Sequence, residues 1–479
     1  MDNVSMLHSK AGLYLAIRYG LGILVSCANM FVLTRWIGPH NYGLFVTVLG
    51  LTAFLATLAR AGIDTYLIRA EFEPDERVYS IATTLIMSFS LLLVGVGVSV
   101  VPLLTRWYGN HEFLLPYLVT LLTVPLAGLA GPPTAKLERE LNFRAVASIE
   151  LGGQILALLV SVTLAWLSFG VWAPVAGLLA WQLCAASGAL IMAKLKLRPA
   201  FDIAATRRMI SFGFGYSASL RVWQLRFLVN PLLVGRFAGT EAVAFVALAM
   251  RVAEGLGFIR IAAGRLAIAS LSRLRPDRNR FQSTLQRALE LQILSLGPLF
   301  CIFVLVAPVV FPVALGVRWM ISLQVFPFVA TGVLVNSLYN LQASGLFVLG
   351  EQWIVLRAYI LHVLLLTLGA FLLLPGLGIV GYGCAELCAC AAYAAFHVRA
   401  NRMAEVSYRK LGRLVFAFLP PLFSLLMRGA WRFAFWIPVI MVAGSAIWDH
   451  IRKAPSRPNE PSAVAHASIP ALSSDFFDA

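Results

Sequence analysis

The stretch Arg35-Trp-Ile-Gly-Pro-His-Asn-Tyr-Gly-Leu-Phe45 is a polar turn set between two long apolar runs. It returns, weaker, as Arg236-Phe-Ala-Gly-Thr-Glu-Ala-Val-Ala-Phe245. Aligning Arg35 with Arg236 also aligns Gly38 with Gly239 and Val32-Leu33 with Leu233-Val234. In both copies an apolar run ends in Arg-x-x-Gly, a few polar or small residues follow, and a new apolar run begins. A second echo, Phe169-Gly-Val-Trp-Ala-Pro against Leu377-Gly-Ile-Val-Gly-Tyr, stands at a similar offset. The chain reads as a duplicated membrane protein with two parallel halves, a plan common among transporters.

Composition supports a membrane setting. Of 479 residues, 60% are hydrophobic and 13% charged, and the mean hydropathy is +0.83. Too little polar surface remains to cover a soluble protein of this size. A net charge of +16 would suggest nucleic acid in a soluble chain. Here it reads as basic loops that orient membrane helices, and no nucleic-acid partner is expected. Cys384, Cys388 and Cys390 cluster, but no histidine or carboxylate accompanies them at zinc spacing. Neither metal, disulfide nor cofactor is expected, and the first apolar run is too long for a cleavable signal.

An apolar helix needs about 20 residues to cross the hydrocarbon core. That ruler predicts spans near 11–34, 42–63, 79–104, 114–135, 146–168 and 171–193, then 209–235, 241–268, 288–315, 321–349, 353–374 and 378–397. A shorter hairpin follows at 411–427 and 430–448. The expected fold is an all-α polytopic membrane protein of about 14 transmembrane helices. It divides into a six-helix lobe over 1–205, a pseudo-symmetric second six-helix lobe over 206–400 and a helical hairpin over 401–453, with a disordered tail over 454–479. Alternate loops carry the basic residues, among them Lys136, Arg139 and Arg144, then Lys194, Lys196 and Arg198, then Arg273, Arg275 and Arg280. The loops between them carry little beyond Arg35, Arg106, Arg236, Arg318, Arg428 and Arg432. The positive-inside rule then places both termini in the cytoplasm.

Ionisable groups at bilayer depth are expensive, so each is a functional candidate by default. Arg18 lies in the first span, Arg60 and Asp64 close the second at i, i+4, and Arg221 and Arg226 lie within the seventh. The eighth carries Arg251, Glu254, Arg260 and Arg265, where the helical repeat puts Arg251, Glu254 and Arg265 on one face, so that Arg251 and Glu254 can neutralise one another. Arg18, Arg221, Arg226, Arg251 and Arg260 are the expected cationic cavity; Arg60, Asp64, Glu254 and Arg265 are the expected ion-pair or gating groups. A guanidinium-rich cavity suits a phosphate-bearing substrate, because arginine presents a rigid fork of donors. The blander alternative is that these arginines snorkel to the interface or pair structurally. Glu386 and His362 are weaker expectations for ion coupling, with a helix-to-helix hydrogen bond as the simpler role. No phosphate-cradling glycine-lysine loop and no nucleophile elbow is present, so neither an ATPase nor a soluble-type enzyme is expected.

The segments Ile37-Gly-Pro-His-Asn-Tyr-Gly-Leu-Phe45, Ala61-Gly-Ile-Asp-Thr-Tyr-Leu-Ile-Arg69, Ala135-Lys-Leu-Glu-Arg-Glu-Leu-Asn-Phe-Arg144 and Asn230-Pro-Leu-Leu-Val-Gly-Arg-Phe-Ala-Gly239 occur in that order. Together they resemble the signature of Wzx-type polysaccharide exporters, the O-antigen and exopolysaccharide flippases of the MOP superfamily. Where that family commonly carries acids, this chain has Arg60 and Asn230, and its second Gly-x-Tyr is Ala244-Phe245-Val246. The resemblance implies translocation of an undecaprenyl-pyrophosphate-linked oligosaccharide across the bacterial inner membrane, with polysaccharide polymerase and export machinery as partners. Related lipid II flippases carry arginines on cavity helices, and Arg18, Arg221 and Arg251 fall on the matching helices. A multidrug or cation exporter of the same superfamily is the alternative, although organic cations favour acidic, aromatic cavities. A membrane enzyme of the same pathway would need a large external loop, which this sequence lacks.

Overall fold

The computed structural model describes residues 2–258, 260, 271, 274, 277–349, 351–394, 396–398, 408–427 and 429–442. Their regular structure is helical, with no strand among them. Helix α1 (Asp2–Arg60) holds the first two expected spans in one rod that breaks at Gly38. Then come α2 (Ile63–Arg69), α3 (Glu76–Ser99), α4 (Val101–Tyr108), α5 (Leu114–Thr120), α6 (Thr123–Arg139), α7 (Phe143–Trp166) and α8 (Trp172–Ala193). The C-terminal half opens with α9 (Ile203–Val229), a π-helical turn (Asn230–Val234), α10 (Gly235–Phe237) and α11 (Thr240–Leu256). It continues with α12 (Arg278–Ala314), α13 (Ser322–Val348), α14 (Gln352–Leu377), α15 (Ile379–Ala389), α16 (Tyr408–Phe423) and α17 (Trp431–Ala434).

Nine helical stretches among the described residues are long and apolar enough to cross a membrane. Apolar helices at Leu411–Leu426 and Trp431–Val442 are shorter, and stand where the terminal hairpin is expected. Neither α9 nor α11, the arginine-bearing helices, belongs to the nine. The third and fourth expected spans are each divided. Pro102 opens α4 just after α3 ends at Ser99, and α5 stops at Thr120 before α6 begins. Proline favours such a start because its missing N–H falls among donors that lack an intrahelical partner anyway.

The two copies of the opening motif share one backbone conformation. Gly38 has φ 74° and ψ 171°, and Gly239 has φ 89° and ψ 172°. This region is essentially closed to residues with a Cβ. Each glycine ends one helical arm and starts another, so Arg-x-x-Gly is the device that redirects the chain. The second echo behaves alike, with Gly170 at φ 57° and Gly378 at φ 56°. A Cβ built on Gly38 or Gly239 meets nothing within 4 Å, so any cost of alanine there is backbone strain alone. Gly38→Ala and Gly239→Ala should each destabilise by about 1–3 kcal/mol. Thermal unfolding in detergent reads this, and unchanged midpoints for both variants would contradict it.

The halves meet at the end that carries both motifs. Gly43 lies against the Thr240 backbone so closely that a Cβ would stand 2.0 Å from the carbonyl oxygen. Trp319, 2% exposed, packs edge-on against Tyr42 of the first motif at 5.6 Å and Phe245 of the second at 5.8 Å. Its indole N–H donates to the Thr34 carbonyl at 3.1 Å. Arg35 donates to the Val313 and Ala314 carbonyls. The π turn leaves carbonyls for the other half: Trp107 donates to Leu232 at 2.8 Å and Tyr108 to Pro231 at 3.0 Å. Burial pushes the Tyr108 phenol up, which keeps its hydroxyl a donor.

Candidate functional site

Two chambers of about 630 and 350 Å³ lie between the halves and a third of about 240 Å³ adjoins them, and Arg251 lines all three. The largest is bounded by the N-terminal half through Met30, Glu150 and Gln154, and by the C-terminal half through Leu256, Phe303 and Phe311. The second runs between Gly50 and Phe54 of α1, Phe227 of α9 and Glu254 of α11. The third lies inside the first half, among Asn29, Tyr42, Ser161 and Trp181, and reaches Arg251 from there.

Arg251 is exposed, and its guanidinium carbon stands 5.8 Å from the centre of the Tyr42 ring. No carboxylate pairs with it among the described residues. The expected partner has gone elsewhere: Glu254 Oε1 lies 3.7 Å from Arg226 Nη2. Helical periodicity brings Arg251 and Glu254 to adjacent positions, but a neighbouring helix, α9, supplies the charge that Glu254 meets. Among the described residues Arg251 is thereby left without a carboxylate partner at the junction of the chambers.

Arg226 departs from its expected place. It is 3% exposed and lines none of the three chambers. It lies 3.8 Å from Glu386 Oε1 and 4.6 Å from the Trp223 ring centre. Taking this charge out of water is tolerable only because both carboxylates and the indole face surround it. His362 joins the same cluster, its ring 5.0 Å from Trp223 and 5.2 Å from Tyr393. Its Nδ1 donates to the Ala389 carbonyl at 3.1 Å. Asn336 donates to the Tyr393 hydroxyl at 2.6 Å and accepts from Arg260 at 3.0 Å. Arg226, Glu254, Arg260, His362 and Glu386 thus form one network within the C-terminal half. Among the described residues its two guanidinium groups are matched by two carboxylates.

The remaining positions are dispersed. Arg60 and Asp64 pair at i, i+4, with Asp64 pressed against Gly131, where a Cβ would meet its Oδ1 at 2.5 Å. Arg221 is half-buried on α9 and lines none of the three chambers. The side chain of Arg18, all of Arg265 and the tail over 454–479 lie outside the described residues.

Two polar groups of the third chamber carry no charge. Asn29 Oδ1 and Gln154 Oε1 are buried without a hydrogen-bond partner among the described residues, and both line the third chamber. Unsatisfied buried amides are unusual and call for a functional account. Their signal in the sequence is modest: neutral amides inside otherwise apolar spans.

The model of a family described as polysaccharide biosynthesis protein matches residues 32–324. The succinoglycan biosynthesis transport protein ExoT of Rhizobium meliloti (strain 1021) is 24% identical over 290 residues, covering 60% of this chain and 58% of that protein. The chain therefore matches less than two thirds of this relative's length. In fold, the lipid II flippase MurJ in its inward closed conformation superposes with a TM-score of 0.73 at 14% identity, covering 92% of this chain and all of that one. An inward-facing multidrug resistance MATE family transporter of the MOP superfamily gives 0.60 at 14% identity, covering 81% and 96%. The described helices thus share the fold of these two membrane proteins. With the family match spanning both copies of the glycine motif and most of the chamber lining, the chain belongs to the polysaccharide biosynthesis protein family.

Proposed function

We propose that this protein flips an undecaprenyl-pyrophosphate-linked oligosaccharide across the bacterial inner membrane, feeding exopolysaccharide or O-antigen assembly. The observation that carries the reading is Arg251, a guanidinium without a carboxylate partner among the described residues, where three chambers converge. Arginine in a low-dielectric cavity attracts a pyrophosphate and can grip it through two parallel hydrogen bonds. Asn29 and Gln154 offer unsatisfied amide groups to sugar hydroxyls, and the prenyl chain stays in lipid. The lobes rock about the site, opening it to one leaflet and then the other. Such motion is productive only if substrate affinity differs between the states. Both termini lie in the cytoplasm in this reading, so the closed motif end faces the periplasm.

In the same reading Arg226, Glu254, Arg260, His362 and Glu386 are positioning residues. They stiffen the C-terminal half and hold Glu254 away from Arg251. Their charge balance removes the need for a coupling cation at Glu386. A cation exporter is the weaker alternative, since an unpaired guanidinium in the cavity repels cationic cargo.

Expression in an exopolysaccharide producer that lacks its own flippase tests the function. Restored polymer, with lipid-linked repeat units no longer accumulating in the cytoplasmic leaflet, is the expected result. Well-expressed protein that restores no polymer but lowers susceptibility to cationic drugs would overturn it.

A further inference from the structure

A second cationic site lies away from the chambers. The segment after α8 alternates: Leu195, Leu197 and Ala200 pack on the cluster that includes Tyr79, Ala82 and Ile86, while Lys196 and Arg198 are exposed. Two hydrogen bonds lock this segment to α3, from the Arg198 N–H to Ser80 Oγ at 3.3 Å and from the Ala200 N–H to Thr84 Oγ1 at 3.1 Å. Ser80 and Thr84 are one turn apart on a face that also carries Arg77 three residues earlier. The result is a cleft of about 380 Å³ lined by Glu76, Arg77, Ser80, Lys196, Arg198 and Ala200. Three cations there face one carboxylate. None of the three pairs with an acid among the described residues.

We propose that this cleft binds the phosphate headgroup of an anionic membrane phospholipid. Its depth fits, because Glu76 begins one membrane-length helix and Ala193 ends another, which puts the cleft at headgroup level. Its surroundings distinguish a lipid from a free anion. Beside Ala200, Phe201 and Ile203 are 69% and 75% exposed, bare apolar surface that acyl chains cover and that inorganic phosphate does not need. A bound lipid fastens the link between α8 and α9 to α3, and so the two halves to one another.

The full chain in dodecyl maltoside, titrated with phosphatidylglycerol and read by native mass spectrometry, tests the site. The triple variant Arg77→Gln, Lys196→Gln, Arg198→Gln should bind at least tenfold more weakly. The pair Arg280→Gln, Arg287→Gln, on another basic stretch, should bind as the parent does, and phosphatidylcholine should not bind in the cleft. Undiminished binding by the triple variant overturns the proposal, as does an equal loss in the control pair. Displacement of the lipid by equimolar inorganic phosphate overturns it too, by marking a free-anion site.

Discussion

Arg251→Ala should lower polysaccharide export about a hundredfold while leaving the protein's membrane level unchanged. A charge-assisted hydrogen bond contributes about 1.5–3 kcal/mol, and a paired grip on pyrophosphate brings the upper end within reach, at about 1.4 kcal/mol per factor of ten. The stability side of the ledger is small. Arg251 is exposed to the chambers and pairs with no acid among the described residues, so alanine strands no buried charge. Arg251→Lys should recover export only in part, because an ammonium keeps the charge and loses the fork. Quantifying surface polymer against membrane-inserted protein separates these outcomes. Export within a factor of two of the parent in Arg251→Ala would remove Arg251 from the site.

Arg226→Leu should produce the opposite pattern, a fall in protein before any question of transport. Arg226 and Glu386 are both about 4% exposed at the side chain. Removing the guanidinium leaves Glu386 buried and uncompensated, at a cost of about 3–5 kcal/mol. Loss of stable protein on detergent extraction, with a lowered unfolding midpoint, is the expected reading. Replacing both partners, Arg226→Met with Glu386→Leu, should recover part of that stability, because apolar packing relieves the stranded charge. If the single variant were stable yet inactive, Arg226 would belong to the transport chemistry instead.

The sequence made the class and the turn motifs legible, and for a physical reason. Apolar run length is set by bilayer thickness, and a glycine at the end of a run marks a backbone region other residues avoid. Gly38 and Gly239 therefore announce themselves as one device used twice. Tertiary pairing was not legible. Helical periodicity gives the azimuth of Arg251, Glu254 and Arg226 on their own helices, but not which neighbouring helix meets which face. That missing information reassigned Glu254 from Arg251 to Arg226 and moved Arg226 from the chambers into the C-terminal half. The π turn at Asn230–Val234 was hidden for the same reason. Its carbonyls find partners in Trp107 and Tyr108, far away in the chain, and nothing local predicts them. Asn29 and Gln154 carry no charge and so give little signal in the sequence, although burial makes them conspicuous in the fold.

The most direct test of the central claim is equilibrium binding of undecaprenyl pyrophosphate, with undecaprenol as the uncharged control. The parent protein should bind the pyrophosphate form at least tenfold more tightly than the alcohol, and Arg251→Ala should erase that difference. A full preference for pyrophosphate retained by a folded Arg251→Ala protein would contradict the account.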